Sequence, residues 1–161
     1  MIDYNKLDIE EFDAVVTGEL THLAIHFEYW LDEIIIDFFQ VCKTKEFRKF
    51  VLDRDGLKFQ DKIEIVRCCL PLLGEVGQTL ELKSILNDIE KFKSWRNALA
   101  HGRDGGSESS PLKMSVEIIN RAGKEKNIEI TPQSHQKMLR DMEVLLEKIK
   151  KTSSVIEKLD E

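Results

Sequence analysis

Phe92-Lys93-Ser94-Trp95-Arg96-Asn97-Ala98-Leu99-Ala100-His101-Gly102 closes a segment in which Leu82, Ile85, Ile89 and Phe92 recur at intervals of three and four. That period belongs to a helix that buries one face, and it predicts a helix from about Thr79 to His101. Gly102 is the residue type expected just past a helix C-terminus, so His101 falls in the last turn, where the negative end of the helix dipole favours an imidazolium. Arg96 is the next member of the apolar stripe after Phe92. A guanidinium on such a face must leave the core, find a buried partner, or line a cleft between helices or subunits. Asn97 and His101, four apart, share a face, whereas Arg96 and His101, five apart, diverge by roughly 140° around the axis.

The same spacing recurs on both sides. Leu20, Leu23, Phe27, Trp30, Ile34, Phe38 and Val41 predict a first long helix from near Asp8 to about Val41, extended by Phe12, Val15 and Val16. The charged stretch from Thr44 to Phe59, with Asp53-Arg54-Asp55-Gly56, reads as a connection with a turn. Phe59, Ile63, Val66 and Leu70 mark a second helix that stops near Pro71, with Gly74 and Gly77 following. Thr131-Pro132 supplies an N-cap and a proline at the first helical position of a last helix, about residues 132–159. Its Met138, Met142, Leu145, Ile149, Thr152, Ile156 and Leu159 form a coiled-coil-like seam. Gly102 to Pro111 has the composition of a flexible loop. Lys113–Ile119 and Asn127–Ile130 alternate polar and apolar residues around the turn Arg121-Ala122-Gly123-Lys124, which predicts a small β-hairpin within about residues 112–131. The expected fold class is all-α: a bundle of four long helices with a β-hairpin between the third and fourth.

Composition agrees with this frame. A chain of 161 residues, 42% hydrophobic and 34% charged, with three prolines and eight glycines, suits one helical domain with its own core. Cys42, Cys68 and Cys69 are odd in number and form no C-x-x-C pair, so they are read as buried thiols, not a disulfide framework or a zinc site. Met1 to Asp8 is polar and acidic, which predicts no secretion signal. The most apolar run, Ile34-Ile35-Ile36, is bounded by Glu33 and Asp37, so no membrane span is expected and the protein is read as soluble and cytoplasmic. The net charge of −6 excludes a broadly basic nucleic-acid coat. Locally the balance reverses, because Lys91, Lys93, Arg96 and Arg103 lie within a segment free of acidic residues. Such a patch fits a small anionic target or merely solvates a helix face.

Arg96, Asn97 and His101, with four residues between the arginine and the histidine, resemble the signature of the HEPN domain family, and the predicted bundle interrupted by a hairpin is similar to several HEPN subfamilies. The resemblance implies a single HEPN-like domain over residues 1–161. It also implies a metal-independent endoribonuclease acting as a toxin or defence effector, with a composite site across a homodimer and single-stranded RNA as substrate. Cleavage without metal uses the neighbouring 2′-OH as nucleophile, so protons must be moved and charge on the phosphate stabilised. His101 suits the first task and Arg96, able to hold two phosphate oxygens, the second; Asn97 orients His101 or binds phosphate. Lys93, Trp95 and Arg103 are the expected substrate contacts. No cofactor is implied, and control by an antitoxin or nucleotidyltransferase partner is. Some toxin members carry a tyrosine two residues after the histidine; here Arg103 stands there.

Other readings remain open on the residues alone. Arg96 can pair with Glu28 or Asp32 of the first helix and His101 can cap carbonyls, which leaves a non-catalytic helical module that binds nucleotide or protein. His22 and His26, four apart, can clamp a metal with Glu19, although the H-E-x-x-H pattern is lacking. Phe27, Tyr29 and Trp30 are either a base-stacking platform or core. His135 reads as a surface residue.

Overall fold

The computed structural model describes residues 3–54, 56–101, 112–119 and 125–158, with the backbone alone at 79, 100, 101, 118, 119, 125 and 126. Most of them are helical. In chain order the elements are a 3-10 turn at Tyr4–Lys6, α1 (Ile9–Phe38), α2 (Thr44–Phe47), a π-helical turn at Arg48–Leu52, α3 (Phe59–Cys69), a 3-10 turn at Leu70–Leu73, α4 (Gly74–Thr79), α5 (Leu82–His101), β1 (Met114–Ile119), β2 (Glu125–Ile130) and α6 (Pro132–Glu157). They form two compact units. Unit 1 is Met1–Ala24 with Phe92–Met142, and unit 2 is Ile25–Lys91 with Glu143–Glu161. Each crossing between units falls inside a helix, so α1, α5 and α6 contribute to both and neither unit is one stretch of sequence.

Local chemistry sets the ends of α1. Asp8 accepts the Glu11 N–H at 2.8 Å while Glu11 accepts the Asp8 N–H at 3.0 Å, a reciprocal capping box that satisfies two otherwise orphaned donors. At the other end Gln40 takes φ 51. Its N–H donates to the Asp37 carbonyl and the Val41 N–H to the Ile36 carbonyl, both at 3.1 Å. This is the Schellman arrangement, with apolar Ile36 and Val41 at its two hydrophobic positions and glutamine where glycine is usual. The predicted end at Val41 is therefore moved back to Phe38.

The stretch read as a connection is partly helical, because Thr44 to Leu52 winds through α2 and the π-helical turn, closed by the Asp53 N–H to the Arg48 carbonyl at 2.8 Å. Pro71 likewise ends α3 without ending the winding. It sits at the start of the 3-10 turn, where its missing N–H costs nothing, and Gly74 at φ 58 redirects the chain into α4. Glu81, at φ 51, then separates α4 from α5.

In unit 1 the core gathers Phe12, Val16 and Leu20 of α1, Phe92 of α5, Met114, Val116 and Ile130 of the hairpin and Met138 of α6. The strands pair antiparallel, Met114 opposite Ile130 and Val116 opposite Ile128, and period-two alternation puts Met114, Val116 and Ile130 inward as the sequence predicts. The hairpin turn and the loop 102–111 lie outside the described residues. Thr131 and Ser134 cap α6 reciprocally, through Ser134 N–H to Thr131 Oγ1 at 3.2 Å and Thr131 N–H to Ser134 Oγ at 2.8 Å.

In unit 2 the core comprises Phe27, Leu31, Ile34 and Ile35 of α1, Ile63 and Val66 of α3, Leu82, Leu86 and Ile89 of α5, and Leu145, Ile149 and Ile156 of α6. Among these side chains sits a charged network. The buried Lys62 Nζ lies 2.8 Å from Glu28 and 3.0 Å from Asp32, and Arg48 reaches Asp32 at 3.6 Å and also pairs with Glu33. No helix among the described residues is long and apolar enough to cross a membrane.

Candidate functional site at the C-terminal end of α5

Leu82, Ile85, Ile89 and Phe92 are all buried, so the apolar stripe of α5 is real and delivers Arg96 one turn beyond Phe92. Arg96 is half-buried. Its Nε is out of reach of water and has no hydrogen-bond partner among the described residues, and Arg96 forms no ion pair there either. An unpaired buried N–H of this kind is costly unless something else takes it up. The carboxylates that the sequence offered as partners, Glu28 and Asp32, are already engaged by Lys62 and Arg48.

Helix geometry sorts the other residues. Lys93, one turn before both Arg96 and Asn97, sits between them in projection, and Asn97 lies one turn before His101. Lys93 and Asn97 are half-buried, whereas Ala98 is buried. Lys93, Arg96, Asn97 and the Cα of His101 thus fall within one sector about 140° wide. Trp95 does not join them. Two residues before Asn97 it projects about 160° away, and it is 39% exposed. As a contact to the same nucleotide it is not on the side that Lys93 and Asn97 present. His101 closes α5 as predicted, but its side chain and all of Arg103 lie outside the described residues. Of the local basic residues, Lys91 is spent on Asp88 at 2.8 Å and solvates the helix.

Other candidates are redistributed. His22 and His26 are exposed, and among the described residues no three His, Cys, Asp or Glu side chains are grouped to hold a metal, so the clamp with Glu19 is not formed. Phe27 is fully buried. Tyr29 carries the Arg48 guanidinium over its ring at 5.2 Å and meets Trp30 edge to face, which dismantles the stacking platform. Cys69 is buried, and burial pushes its thiol up; Cys42 and Cys68 are exposed, against the expectation of three buried thiols.

Two residues escaped the sequence reading. His135 is not at the surface but wholly buried in unit 1, its Nδ1 3.0 Å from the Tyr4 hydroxyl. It stands three residues before Met138, at the head of the α6 seam, and that spacing was the available signal. Lys62 sits three after Phe59 and four before Val66, on the buried face of α3, opposite carboxylates spaced i, i+4 on α1. A lysine at an apolar position was again the clue. No protein-family profile, characterised protein or solved structure matches this chain.

Proposed function

We propose that the chain is a metal-independent endoribonuclease of HEPN type, a toxin or defence effector whose composite site forms at a homodimer interface around the end of α5. The observation that carries this reading is Arg96, a permanently charged fork held half-buried with an Nε that has no hydrogen-bond partner among the described residues, on the same sector of α5 as Lys93 and Asn97. A guanidinium built only for stability is normally met by a carboxylate. One without such a partner is preorganised to accept phosphate oxygens.

In the proposed reaction one His101 takes the proton from a ribose 2′-OH as that oxygen forms a bond to the adjacent phosphorus. The bond from phosphorus to the 5′-oxygen breaks, and a second His101, from the other copy, gives a proton to the departing 5′-oxygen. Arg96 holds the extra charge on the phosphate during the exchange, and Asn97, one turn before His101, orients the imidazole. The roughly 140° divergence of Arg96 and His101 within one helix is resolved when a two-fold axis brings two helix ends together. A single-stranded RNA is the substrate, and a partner of antitoxin or nucleotidyltransferase type restrains the activity.

The exposed Trp95 favours a second reading, a non-catalytic helical module that docks nucleotide or protein through that side of α5. Product ends separate the two: the ribonuclease leaves a 2′,3′-cyclic phosphate and a 5′-OH on cut single-stranded RNA, and the module leaves the RNA intact.

A further inference from the structure

His135 is 0% exposed, and of its two ring nitrogens only Nδ1 has a partner, the Tyr4 hydroxyl at 3.0 Å; Nε2 is buried with none among the described residues. Tyr4 comes from the N-terminal 3-10 turn, whose own links are modest. The Lys6 N–H reaches the Asp3 carbonyl at 3.2 Å and the Leu7 N–H the Tyr4 carbonyl at 3.3 Å, while the exposed Asp3 carboxylate accepts the Asn5 N–H at 3.3 Å and pairs with the exposed Lys6 at 3.1 Å. Among the described residues the turn joins the rest of unit 1 through the aromatic cluster of Tyr4, Phe12 and His135, with centroids 5.9 to 6.1 Å apart and all edge to face. Neutral imidazole satisfies this geometry, because one nitrogen bears a hydrogen and the Tyr4 hydroxyl donates or accepts to match.

We propose that Tyr4 and His135 form an acid-released latch, which holds the N-terminal turn on unit 1 while His135 is neutral and lets it go when His135 takes up a proton. The imidazolium has two N–H donors. Nδ1 can still donate to the Tyr4 oxygen, but Nε2–H then carries charge at a position sealed from water with no acceptor among the described residues. Moving Tyr4 aside opens the Nδ1 edge of the charged ring to water. The groups that act on the ring are Tyr4 from the N-terminal turn and Glu19 from α1. Burial pulls the His135 pKa below the ordinary histidine value and outweighs the opposing pull of Glu19.

The chain has two tyrosines, Tyr4 and Tyr29, so a 3-fluorotyrosine-labelled protein gives two 19F resonances, assigned with Tyr4→Phe. As pH falls below about 6.5, the open-to-closed ratio read at Tyr4 should rise about tenfold per pH unit until the latched form itself titrates. The imidazole resonance of His135 should titrate with it, below the ordinary midpoint. In His135→Phe the Tyr4 signal should lose its pH dependence. A Tyr4 resonance that stays closed to pH 5, or that opens with the same pH dependence in His135→Phe, overturns the latch. Should that variant not fold, the wild-type His135 titration decides alone: an ordinary midpoint contradicts the proposal, and a depressed one that coincides with Tyr4 release supports it.

Discussion

Lys62 and Asp32 meet at 3.0 Å with both side chains almost sealed from water, 3% and 6% exposed, in the middle of unit 2. Burial alone would lower the lysine pKa, but the hydrogen bonds that Lys62 donates to Glu28 and Asp32, together with the charges of those carboxylates, outweigh it and hold the ammonium charged. Glu28, at 36% exposed, keeps its water. The two carboxylates are therefore unequal. Asp32→Ala should cost about 3–5 kcal/mol because it strands a buried ammonium with one rim partner, whereas Glu28→Ala should cost about 1 kcal/mol or less. Urea denaturation of both variants checks the order.

Asp37, half-buried in the same unit, accepts the Ser153 hydroxyl at 3.2 Å. Burial raises its pKa, Ser153 opposes, and the Glu33 and Glu157 charges add to the rise. A carboxyl whose folded pKa lies above its unfolded value costs stability while it is ionised, and that cost disappears as pH falls through the raised folded value. Asp37→Asn, which keeps an acceptor for Ser153, should melt higher than the wild type at pH 7, and the gap should close on acidification. Thermal melts at pH 7 and in the acid range read this directly.

Two backbone positions invite opposite substitutions. Gly18 lies exposed in mid α1 with nothing within 4 Å of an added Cβ, so Gly18→Ala should stabilise by about 0.5–1 kcal/mol. Gln40 holds a left-handed C′ position that glycine fills without strain, so Gln40→Gly should stabilise by about 0.5–1 kcal/mol. At buried Gly77 an added Cβ would meet Leu73 Cβ at 3.0 Å and the Leu70 carbonyl at 3.2 Å, and Gly77→Ala should cost about 1–2 kcal/mol. Chemical denaturation of the three single variants compares them on one scale.

The cap of α1 carries a separate expectation. Removing the Asp8 carboxylate deletes the acceptor for the Glu11 N–H and should cost about 1 kcal/mol, while Asp8→Ser should restore most of it.

The long helices were legible because burial on one face writes a 3.6-residue period: Leu82, Ile85, Ile89 and Phe92 gave α5, and Thr131-Pro132 marked the start of α6 to the residue. The short windings between Thr44 and Thr79 were not, since α2 and α4 are too brief to show a period; α2 buries no residue, and α4 is bounded by the positive-φ residues Gly74 and Glu81. Polar residues inside the core misled for one reason. A histidine or lysine on an apolar face looks like an interruption until its partner is known, and the partners of His135 and Lys62 lie 131 and about 30 residues away. At the candidate site, spacing put Asn97 and His101 on one face, but grouping Lys93 and Trp95 together as substrate contacts overlooked the 100° step per residue, which turns Trp95 away from Lys93 and Asn97.

Ribonuclease activity at the end of α5 is read by cleavage of a labelled single-stranded RNA and a matched DNA in excess chelator by wild type, Arg96→Ala and His101→Ala. Wild type should cut the RNA and leave the DNA, and each variant should lose about a hundredfold or more in rate while keeping its fold by circular dichroism. Equal background in all three proteins, with Arg96→Ala merely less stable, would contradict this activity and make Arg96 and His101 structural.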